Sequence, residues 1–368
     1  MSGRIPLVDL GLQHAQVAEE VREGLARVMD QTAFVLGDEV ASFEKSFAEF
    51  MGTRHCVGVA NGTDALELAL RALDIGSGDE VIVPTNSFIA SALAVARAGA
   101  TPVLVDVDPV YQLIDPEKAV ARAGSKTKAI MPVHLFGQVA PMEAIKAAAA
   151  SAGAAVVEDA AQAQGAKQGG VSAGNFGVVA GTSFYPGKNL GAYGDAGAVL
   201  TNSDEVAAKV RALRNYGSEV KYYHPEAGFN SRLDTLQAVV LNAKLKRLAT
   251  WNEERRRAAA RYEEMLKGVE GVQPPATLPG NEHIWHLYVV RVADRDEVLR
   301  KLNEAGVGAG IHYPVPIHLQ GAFAHLGYRE GDFPVAEAAA REILSLPMYS
   351  GITAQQQERV VEELRRAL

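Results

Sequence analysis

Between residues 55 and 200, short runs of β-branched residues alternate with alanine-rich stretches that have helical spacing. The runs are apolar at nearly every position, so we expect strands that are buried on both faces. Strands that alternate with crossover helices predict an α/β fold, a mostly parallel sheet with helices on both sides. The predicted strands are 81–83, 102–105, 129–132 and 154–157, and the predicted helices are 65–73, 87–98, 116–123 and 141–152.

A change in the sequence pattern near residue 250 predicts a second, smaller domain. Residues 233–267 have the spacing of long helical segments, and a stretch rich in proline and glycine follows them. An alternating run at 285–292, a helix at 296–305 and a closing helix near the C-terminus favour an α+β arrangement. We therefore predict a large domain at 1–249, which includes the N-terminal segment, and a small C-terminal domain at 250–368.

The composition argues against several classes of protein. The formal net charge of −8 gives no overall attraction to nucleic acid or to an anionic membrane. The single cysteine, Cys56, cannot form an intramolecular disulfide, and its apolar neighbours favour a small buried side chain over a nucleophile. The N-terminus has no signal-peptide pattern, and the alanine-rich stretch at 147–157 is too short to span a bilayer. We expect a cytoplasmic protein with no nucleic-acid or membrane partner.

The first candidate site residues open the helix predicted at 65–73. Asn61, Gly62 and Thr63 could offer a phosphate free backbone amides, the positive end of the helix dipole and a hydroxyl. Ligands bind at the carboxyl ends of the strands in such sheets, so this junction is a suitable place. Taken alone, however, the stretch favours an ordinary helix cap.

An acidic residue follows the strand predicted at 154–157. Asp159 could meet a cationic ring nitrogen, which a pyridoxal cofactor requires because its protonated ring is the electron sink for the reaction. Gln162, three residues on, could donate to the phenolic oxygen of the ring. A capping acid after a strand explains this stretch equally well by itself.

Lys188 lies just beyond a strand, in a loop punctuated by glycine and proline at 182–197. A lysine amine forms a Schiff base with an aldehyde, and desolvation or nearby cations can lower its pKa. Most lysines are solvated surface charges, and Phe88, which could stack on a planar ring, is by itself better explained as a core residue. Together, a phosphate site, a ring-nitrogen acid, a stacking face and an imine-forming lysine describe one ligand, pyridoxal 5′-phosphate (PLP).

In these motifs the sequence resembles the sugar aminotransferases of the DegT/DnrJ/StrS type, which have the aspartate-aminotransferase fold (fold type I). The resemblance runs through nearly the whole chain, and its most specific stretches are 61–65, 158–162, 183–197 and 230–234. It implies a PLP-dependent transferase fold, with a large PLP-binding domain and a smaller C-terminal one. It also implies a cofactor that alternates between PLP and its amine form, PMP.

The resemblance implies a role for each matching residue. Lys188 would form the Schiff base with the cofactor and move the proton. Asp159 would pair with the pyridine nitrogen, Gln162 with the ring oxygen, and Phe88 would stack on the ring. The residues implied to bind the phosphate are Gly62, Thr63 and Ser183, with Asn230 reaching it from the neighbouring subunit.

Asn230 therefore implies a homodimer with shared active sites. Arg232 would contact the sugar or its phosphates, although a salt bridge at the start of the following helix is the alternative. His312 and Tyr313 would border the sugar, because their surroundings resemble the branch that aminates carbon 3 of dTDP-linked keto-deoxyhexoses. Lys188 separates this chain from related sugar dehydratases, which carry histidine at that position.

The implied reaction moves an amino group from L-glutamate to a nucleotide-linked keto sugar, a dTDP-3-keto-6-deoxyhexose in that branch. A UDP-linked sugar, a cyclitol or an aminobenzoate precursor is the alternative substrate. A PLP-binding regulatory protein without turnover is a rival, but no DNA-binding module or basic tail is visible. A nicotinamide-dependent oxidoreductase is a further rival, but the chain has no G-x-G-x-x-G motif after its early strands. The histidines 283, 286, 312 and 318 could suggest a zinc site, but no cysteine or acidic residue stands near them at the spacing of zinc ligands. We therefore predict no metal there.

Overall fold

The structure is a computed structural model that describes residues 3–220 and 222–368. Its strands are β1 (His55–Val59), β2 (Glu80–Pro84), β3 (Thr101–Val105), β4 (Thr127–Ile130), β5 (Ala155–Asp159), β6 (Lys167–Gln168), β7 (Val171–Ser172), β8 (Val179–Ser183), β9 (Gly197–Thr201), β10 (Val272–Gln273), β11 (Asn281–Glu282), β12 (Tyr288–Val292) and β13 (Ile343–Leu346).

The helices cover both faces of the central sheet and surround a smaller one. They are α1 (Leu10–Gln31), α2 (Asp38–Met51), α3 (Gly62–Ala72), α4 (Ala90–Ala98), α5 (Pro116–Arg122), α6 (Met142–Ala152), α7 (Asp204–Leu213), α8 (Thr235–Leu266), α9 (Arg295–Glu304), α10 (Pro334–Glu342) and α11 (Ala354–Ala367). Within the described ranges, no helix is long and apolar enough to cross a membrane.

The central sheet has seven strands in the order β1-β9-β8-β5-β4-β2-β3. The five strands from β8 to β3 are parallel to one another, and β9 is antiparallel to both of its neighbours. Alternate strand residues pack into two separate cores: Ile82 packs with α2, α6 and α8, whereas Val81 and Val83 pack with α3, α4 and α7. Burial on both faces explains the continuous apolar runs and confirms the predicted α/β fold.

A three-stranded antiparallel sheet of β10, β12 and β13 packs with α9, α11 and the C-terminal half of α8 around a third core. Ile5 belongs to this core, and its backbone bonds to Gly306 and Gly308. The N-terminal segment therefore packs with the C-terminal part of the chain. The domain boundary predicted at 249/250 falls inside α8 and stays a prediction.

Three elements at the carboxyl edge of the sheet begin or end at different residues from those predicted. β4 ends at Ile130 rather than at Pro132, which has no N–H to donate to the ladder. α4 begins at Ala90 rather than at 87, and the Ser87 hydroxyl, which precedes the helix, lies 2.7 Å from the hydroxyl of Ser91 in its first turn. β5 continues to Asp159, so that this carboxylate is fixed by the sheet itself.

Candidate active site

Two candidate residues lie at the carboxyl ends of the adjacent strands β5 and β8. Asp159 is the last residue of β5, Ser183 is the last residue of β8, and Thr85 directly follows β2. Because β8, β5, β4 and β2 are consecutive and parallel, their carboxyl ends form one edge of the sheet. In open α/β sheets this edge is where ligands bind.

Two glycines leave room for a close approach between α3 and the ends of β8 and β9. A side chain at Gly62 would place its Cβ 2.6 Å from Cβ of Ser183, and one at Gly197 would place its Cβ 2.4 Å from the Asn61 carbonyl oxygen. The Asn61 side chain caps α3, accepting from the backbone N–H three residues on at 2.9 Å, as the cap interpretation predicted. Gly62 and Thr63 occupy the next two positions, where backbone N–H groups lack acceptors within the helix and suit an anion.

Asp159 is only 4% exposed, and hydrogen bonds fix both of its carboxylate oxygens. Ser91 donates to Oδ2 at 2.6 Å, and the backbone N–H of Ala161 donates to Oδ1 at 3.1 Å in a turn rather than at a helix start. The Ser91 hydroxyl lies 2.7 Å from that of Ser87. Among the described residues, no lysine or arginine forms an ion pair with Asp159, so its charge is available to a cationic group of a ligand.

Lys188 lies half-buried in the loop after β8. Its amine donates no hydrogen bond to any other described residue. Desolvation lowers the pKa of this amine to about 8, and the negative charge of Asp159 acts in the opposite direction and limits the shift. A lysine with such a pKa is partly neutral near pH 7, which makes it a usable nucleophile and proton carrier.

Gln162 joins the end of β5 to the segment that carries the predicted sugar-binding residues. Its Oε1 accepts from the Phe136 N–H at 2.6 Å, and its Nε2 donates to the Tyr313 hydroxyl at 3.2 Å. The Tyr313 ring centroid lies 5.3 Å from that of Phe88. Phe88 is 51% exposed, so its interpretation as a core residue is wrong and its ring can contact a ligand.

The segment that carries His312 and Tyr313 is fixed to the end of β2 by a buried histidine. His318 lies with Nδ1 2.8 Å from the Thr85 hydroxyl and with Nε2 3.0 Å from a Glu337 carboxylate oxygen. The backbone N–H of residue 317 also donates to the Thr85 carbonyl at 2.8 Å. Desolvation, together with the positive charge of the lysine at 188, lowers the pKa of His312 to about 4, so this ring is neutral at pH 7.

Asn230 and Arg232 lie apart from this group. Asn230 is exposed and pairs with Asn215 in an isolated bridge. Arg232 donates to the Asn215 side-chain oxygen at 3.0 Å, and its guanidinium lies 5.7 Å from the centroid of the Tyr216 ring. In the part of the chain that the structure describes, Arg232 forms no salt bridge, so the alternative proposed for it is wrong. Their predicted roles toward a phosphate and a sugar stay predictions.

The histidines considered as a zinc site have other contacts. His283 stacks on Trp285 with ring centroids 3.8 Å apart, and His286 lies with Nδ1 3.3 Å from Oδ1 of Asn189. The described residues contain no group of three or more histidine, cysteine, aspartate or glutamate side chains that could hold a metal ion. Cys56 is buried, as expected, and desolvation raises the pKa of its thiol.

The sequence reasoning missed the polar residues that support this site. Ser87 and Ser91 were visible as a serine pair, four residues apart, in an otherwise apolar helical stretch, a spacing that places two side chains on one face. Gln164 and Asn252 gave no such signal. Their partners are distant in the sequence: Gln164 donates to the Ser183 carbonyl at 2.6 Å, and Asn252 donates to the Gln164 carbonyl at 2.9 Å.

The lowered pKa of Lys188 predicts how its reactivity depends on pH. Because only the neutral amine reacts, its acetylation by trace acetic anhydride should rise through a midpoint of about pH 8, well below the value of about 10.4 for a free lysine. Asp159→Asn removes the charge that raises the pKa, so the midpoint should move to lower pH. Peptide mass spectrometry of the cofactor-free protein measures both values. A midpoint near 10 in the unmodified protein would contradict the desolvated position.

Curated relatives match the chain over almost its full length. A "pleiotropic regulatory protein" of Geobacillus stearothermophilus is 47% identical over 98% of this chain and 97% of its own. The dTDP-3-amino-3,4,6-trideoxy-α-D-glucose transaminase of Streptomyces venezuelae is 46% identical, over 98% and 96%. The UDP-N-acetyl-3-dehydro-α-D-glucosamine 3-aminotransferase of Acidithiobacillus ferrooxidans is 45% identical, over 99% and 98%.

Solved structures agree with these relatives. DesV of S. venezuelae, in complex with a ketimine intermediate, superimposes with a TM-score of 0.97 at 45% identity, covering 99% of this chain and 98% of that one. NtdA from Bacillus subtilis with bound cofactor PMP gives a TM-score of 0.92 at 32% identity, covering 100% and 86%. The model of the DegT/DnrJ/EryC1/StrS aminotransferase family matches residues 15–365. The chain therefore belongs to the DegT/DnrJ/EryC1/StrS aminotransferase family.

Proposed function

We propose that this chain is a PLP-dependent aminotransferase that moves an amino group from L-glutamate to the keto group of a nucleotide-linked sugar. The observation that carries the proposal is the environment of the Lys188 amine. The amine is desolvated and has no hydrogen-bond partner among the described residues, and the negative charge of Asp159 raises its pKa. A lysine and a buried, unpaired carboxylate at the carboxyl edge of a parallel sheet suit the aldehyde and the cationic nitrogen of PLP.

The proposed keto sugar is a dTDP-linked 3-keto-6-deoxyhexose. Its support is the 46% identity to a transaminase named for a dTDP-3-amino sugar and the TM-score of 0.97 to DesV. A UDP-linked keto sugar is the second candidate, supported by the 45% identity to an aminotransferase named for one. His312 and Tyr313 are the proposed sugar contacts, with Arg232 for the sugar or its phosphates.

The residues at the sheet edge fit the parts of PLP. The glycine-lined approach between α3 and β8 leaves free amides and hydroxyls for its phosphate, and the exposed Phe88 ring can cover the pyridine ring. Gln162 Nε2 donates one of its two hydrogens to the Tyr313 hydroxyl, which leaves the other for the ring oxygen. The proposed phosphate ligands are Gly62, Thr63 and Ser183, with Asn230 from a second copy of the chain.

When bound, PLP supplies an electron sink for the carbon that gains or loses a proton. Lys188 Nζ, with its pKa of about 8, is suited to take that proton and return it near neutral pH. Asp159, fixed by Ser91 and by a backbone N–H, holds a negative charge where the ring nitrogen must stay protonated. The nucleotide of the substrate contributes binding energy remote from the reacting carbon, which helps to position it.

An absorbance spectrum tests the proposed function. The purified protein should turn yellow when PLP is added, and L-glutamate should bleach the colour because it delivers its amino group. Borohydride reduction before glutamate is added should fix the cofactor to Lys188, and Lys188→Ala should take up no covalent cofactor. A protein that binds no PLP would contradict the proposal. A protein that stays yellow with glutamate would contradict the donor.

Turnover separates the enzyme from the regulatory alternative, which the name of one relative raises. With glutamate and a dTDP- or UDP-linked 3-keto sugar, an aminotransferase releases 2-oxoglutarate at a steady rate. A regulatory protein would bleach once and stop. Comparing the two nucleotides in the same assay also decides between the substrate candidates.

Two substitutions next to the proposed ring nitrogen should have graded effects. Asp159→Asn keeps the side-chain size but removes the charge, and we expect turnover to fall on the order of 100-fold or more while cofactor still binds. Ser91→Ala removes one hydrogen bond to a charged group, worth about 1.5 kcal/mol, which corresponds to about a tenfold loss. Steady-state kinetics with saturating PLP measure both. Equal effects, or normal turnover in Asp159→Asn, would count against this role of Asp159.

We further propose that the active form is a homodimer with shared sites. Large apolar side chains are exposed in two places: Tyr185 and Tyr193 lie in the Lys188 loop, and Val35 pairs with Asp234, four residues along the chain from the exposed Asn230. Exposed apolar side chains of this kind, two of them in the loop that carries Lys188, favour association with another chain. A C2 dimer is the most common arrangement for such an interface.

Complementation tests the shared site. Lys188→Ala and Asn230→Ala would each be weakly active or inactive alone. After the subunits exchange, half of the dimers carry one of each, and one of their two sites is fully native, so about a quarter of the wild-type activity should return. Sedimentation equilibrium checks the dimer. A mixture no more active than its components would show that Asn230 serves the site of its own chain or none.

A further inference from the structure

Helix α8 presents a row of polar side chains to the loop that carries Lys188. Gln237, Lys244 and Asn252 are spaced seven and eight residues apart, which places them within about 80° of arc on one side of the helix. Each of them bonds to a different part of the loop. The Gln237 Oε1 accepts from the Tyr193 N–H at 2.8 Å, the Lys244 amine donates to the Gly191 carbonyl at 2.7 Å, and Asn252 Oδ1 accepts from the Asn189 side chain at 2.8 Å.

Asn252 is the one residue of the three that bonds to two different segments of the site. Its Oδ1 accepts from Asn189, the residue after Lys188, and its Nδ2 donates to the carbonyl of Gln164. The Gln164 side chain in turn donates to the Ser183 carbonyl. These side chains are all almost completely buried. The single amide of Asn252 therefore connects the lysine loop with the turn after Asp159 and, through Gln164, with the end of β8.

Lys244 is a buried amine on the same side of α8, and desolvation lowers its pKa to about 8. It is 2% exposed, and no carboxylate among the described residues pairs with it. Its amine donates to the Gly191 carbonyl and lies over the face of the Tyr193 ring, 4.7 Å from the centroid. Burying an ammonium group is costly unless its hydrogen bonds are made. Both of its partners belong to the lysine loop, so the residue acts on that loop.

The loop is too tight to absorb a displacement. Gly191 packs so closely against Pro186 that an added Cβ would lie 2.3 Å from the Pro186 carbonyl oxygen. The Asn189 side chain also donates to the Ile284 carbonyl at 3.1 Å. A shift of residues 189–193 is therefore passed to Lys188, whose amine donates no hydrogen bond to any described residue that could hold it in place.

We propose that Asn252, Lys244 and Gln237 are positioning residues, which set the place of the Lys188 amine by fixing residues 189–193 from α8. The inference rests on the proposed function, because the position of the amine matters for the reaction proposed there. Asn252 is the principal member, since it alone also contacts the turn after β5. The row acts through the loop and does not touch the reacting atoms.

Asn252→Ala tests the proposal, with Asn242→Ala as its matched control. Asn242 is an amide on the same helix whose side chain bonds to Glu39 instead of the loop. In cofactor-free protein, the acetylation midpoint of Lys188 should rise by at least half a pH unit in Asn252→Ala, because a loosened amine gains water and desolvation is what lowers its pKa. Asn242→Ala should leave the midpoint unchanged. This readout requires neither PLP binding nor turnover, so it fails or succeeds independently of the proposed function.

Kinetics of the PLP-loaded enzyme give the second readout. In Asn252→Ala, kcat should fall at least tenfold while KM for the keto sugar changes less than threefold, because a misplaced amine affects proton transfer more than binding. Lys244→Met, which keeps the chain length and removes a buried charge, should show a smaller change in the same direction and carries the test if Asn252→Ala does not fold. An unchanged midpoint and kcat, or equal changes in Asn242→Ala, would overturn the proposal.

Discussion

The arrangement of the site depends on the partial removal of the Lys188 amine from water. Desolvation favours the neutral amine, and the charge of Asp159 favours the ammonium form, so the two effects together set a pKa of about 8. The balance holds only while the distances to water and to Asp159 are fixed. The hydrogen bonds around the site serve this requirement: Asp159 is held through Ser91 and the turn after β5, and the lysine loop is held from α8.

Much of this fold could be predicted from the sequence, because its causes are local. Runs such as 81–83 are apolar at each position since both faces of the strand are covered, and Asp159 and Lys188 stand out because they follow strands. The supporting residues Gln164 and Asn252 could not be predicted. Asn252 meets Gln164 across 88 residues and Asn189 across 63, and nothing in the local pattern of a helix indicates which of its amides will face a loop brought there by the tertiary fold.

The two ends of the proposed substrate site differ in how they are built. The cofactor side is formed by strand ends and a helix start within the central sheet, a scaffold shared by relatives named for dTDP- and UDP-linked sugars. His312 and Tyr313 lie instead on a segment that reaches the sheet from the C-terminal part of the chain and is fixed through His318 and Thr85. A change in this segment would alter the proposed sugar contacts without disturbing the strand ends, and the relatives are named for different sugars.

The neighbouring carboxylates Glu158 and Asp159 show how strictly the sheet separates the core from the site. Glu158 is fully buried and accepts from His134 and from three backbone N–H groups in the turn at 174–177, while Asp159 faces Ser91. Successive residues of a strand point to opposite faces. An insertion of one residue in β5 before Glu158 would therefore turn Glu158 toward the site and Val157 toward the turn at 174–177, leaving that turn without its acceptor and the site with a longer side chain. The number of residues in this strand therefore decides which of the two acids reaches the site.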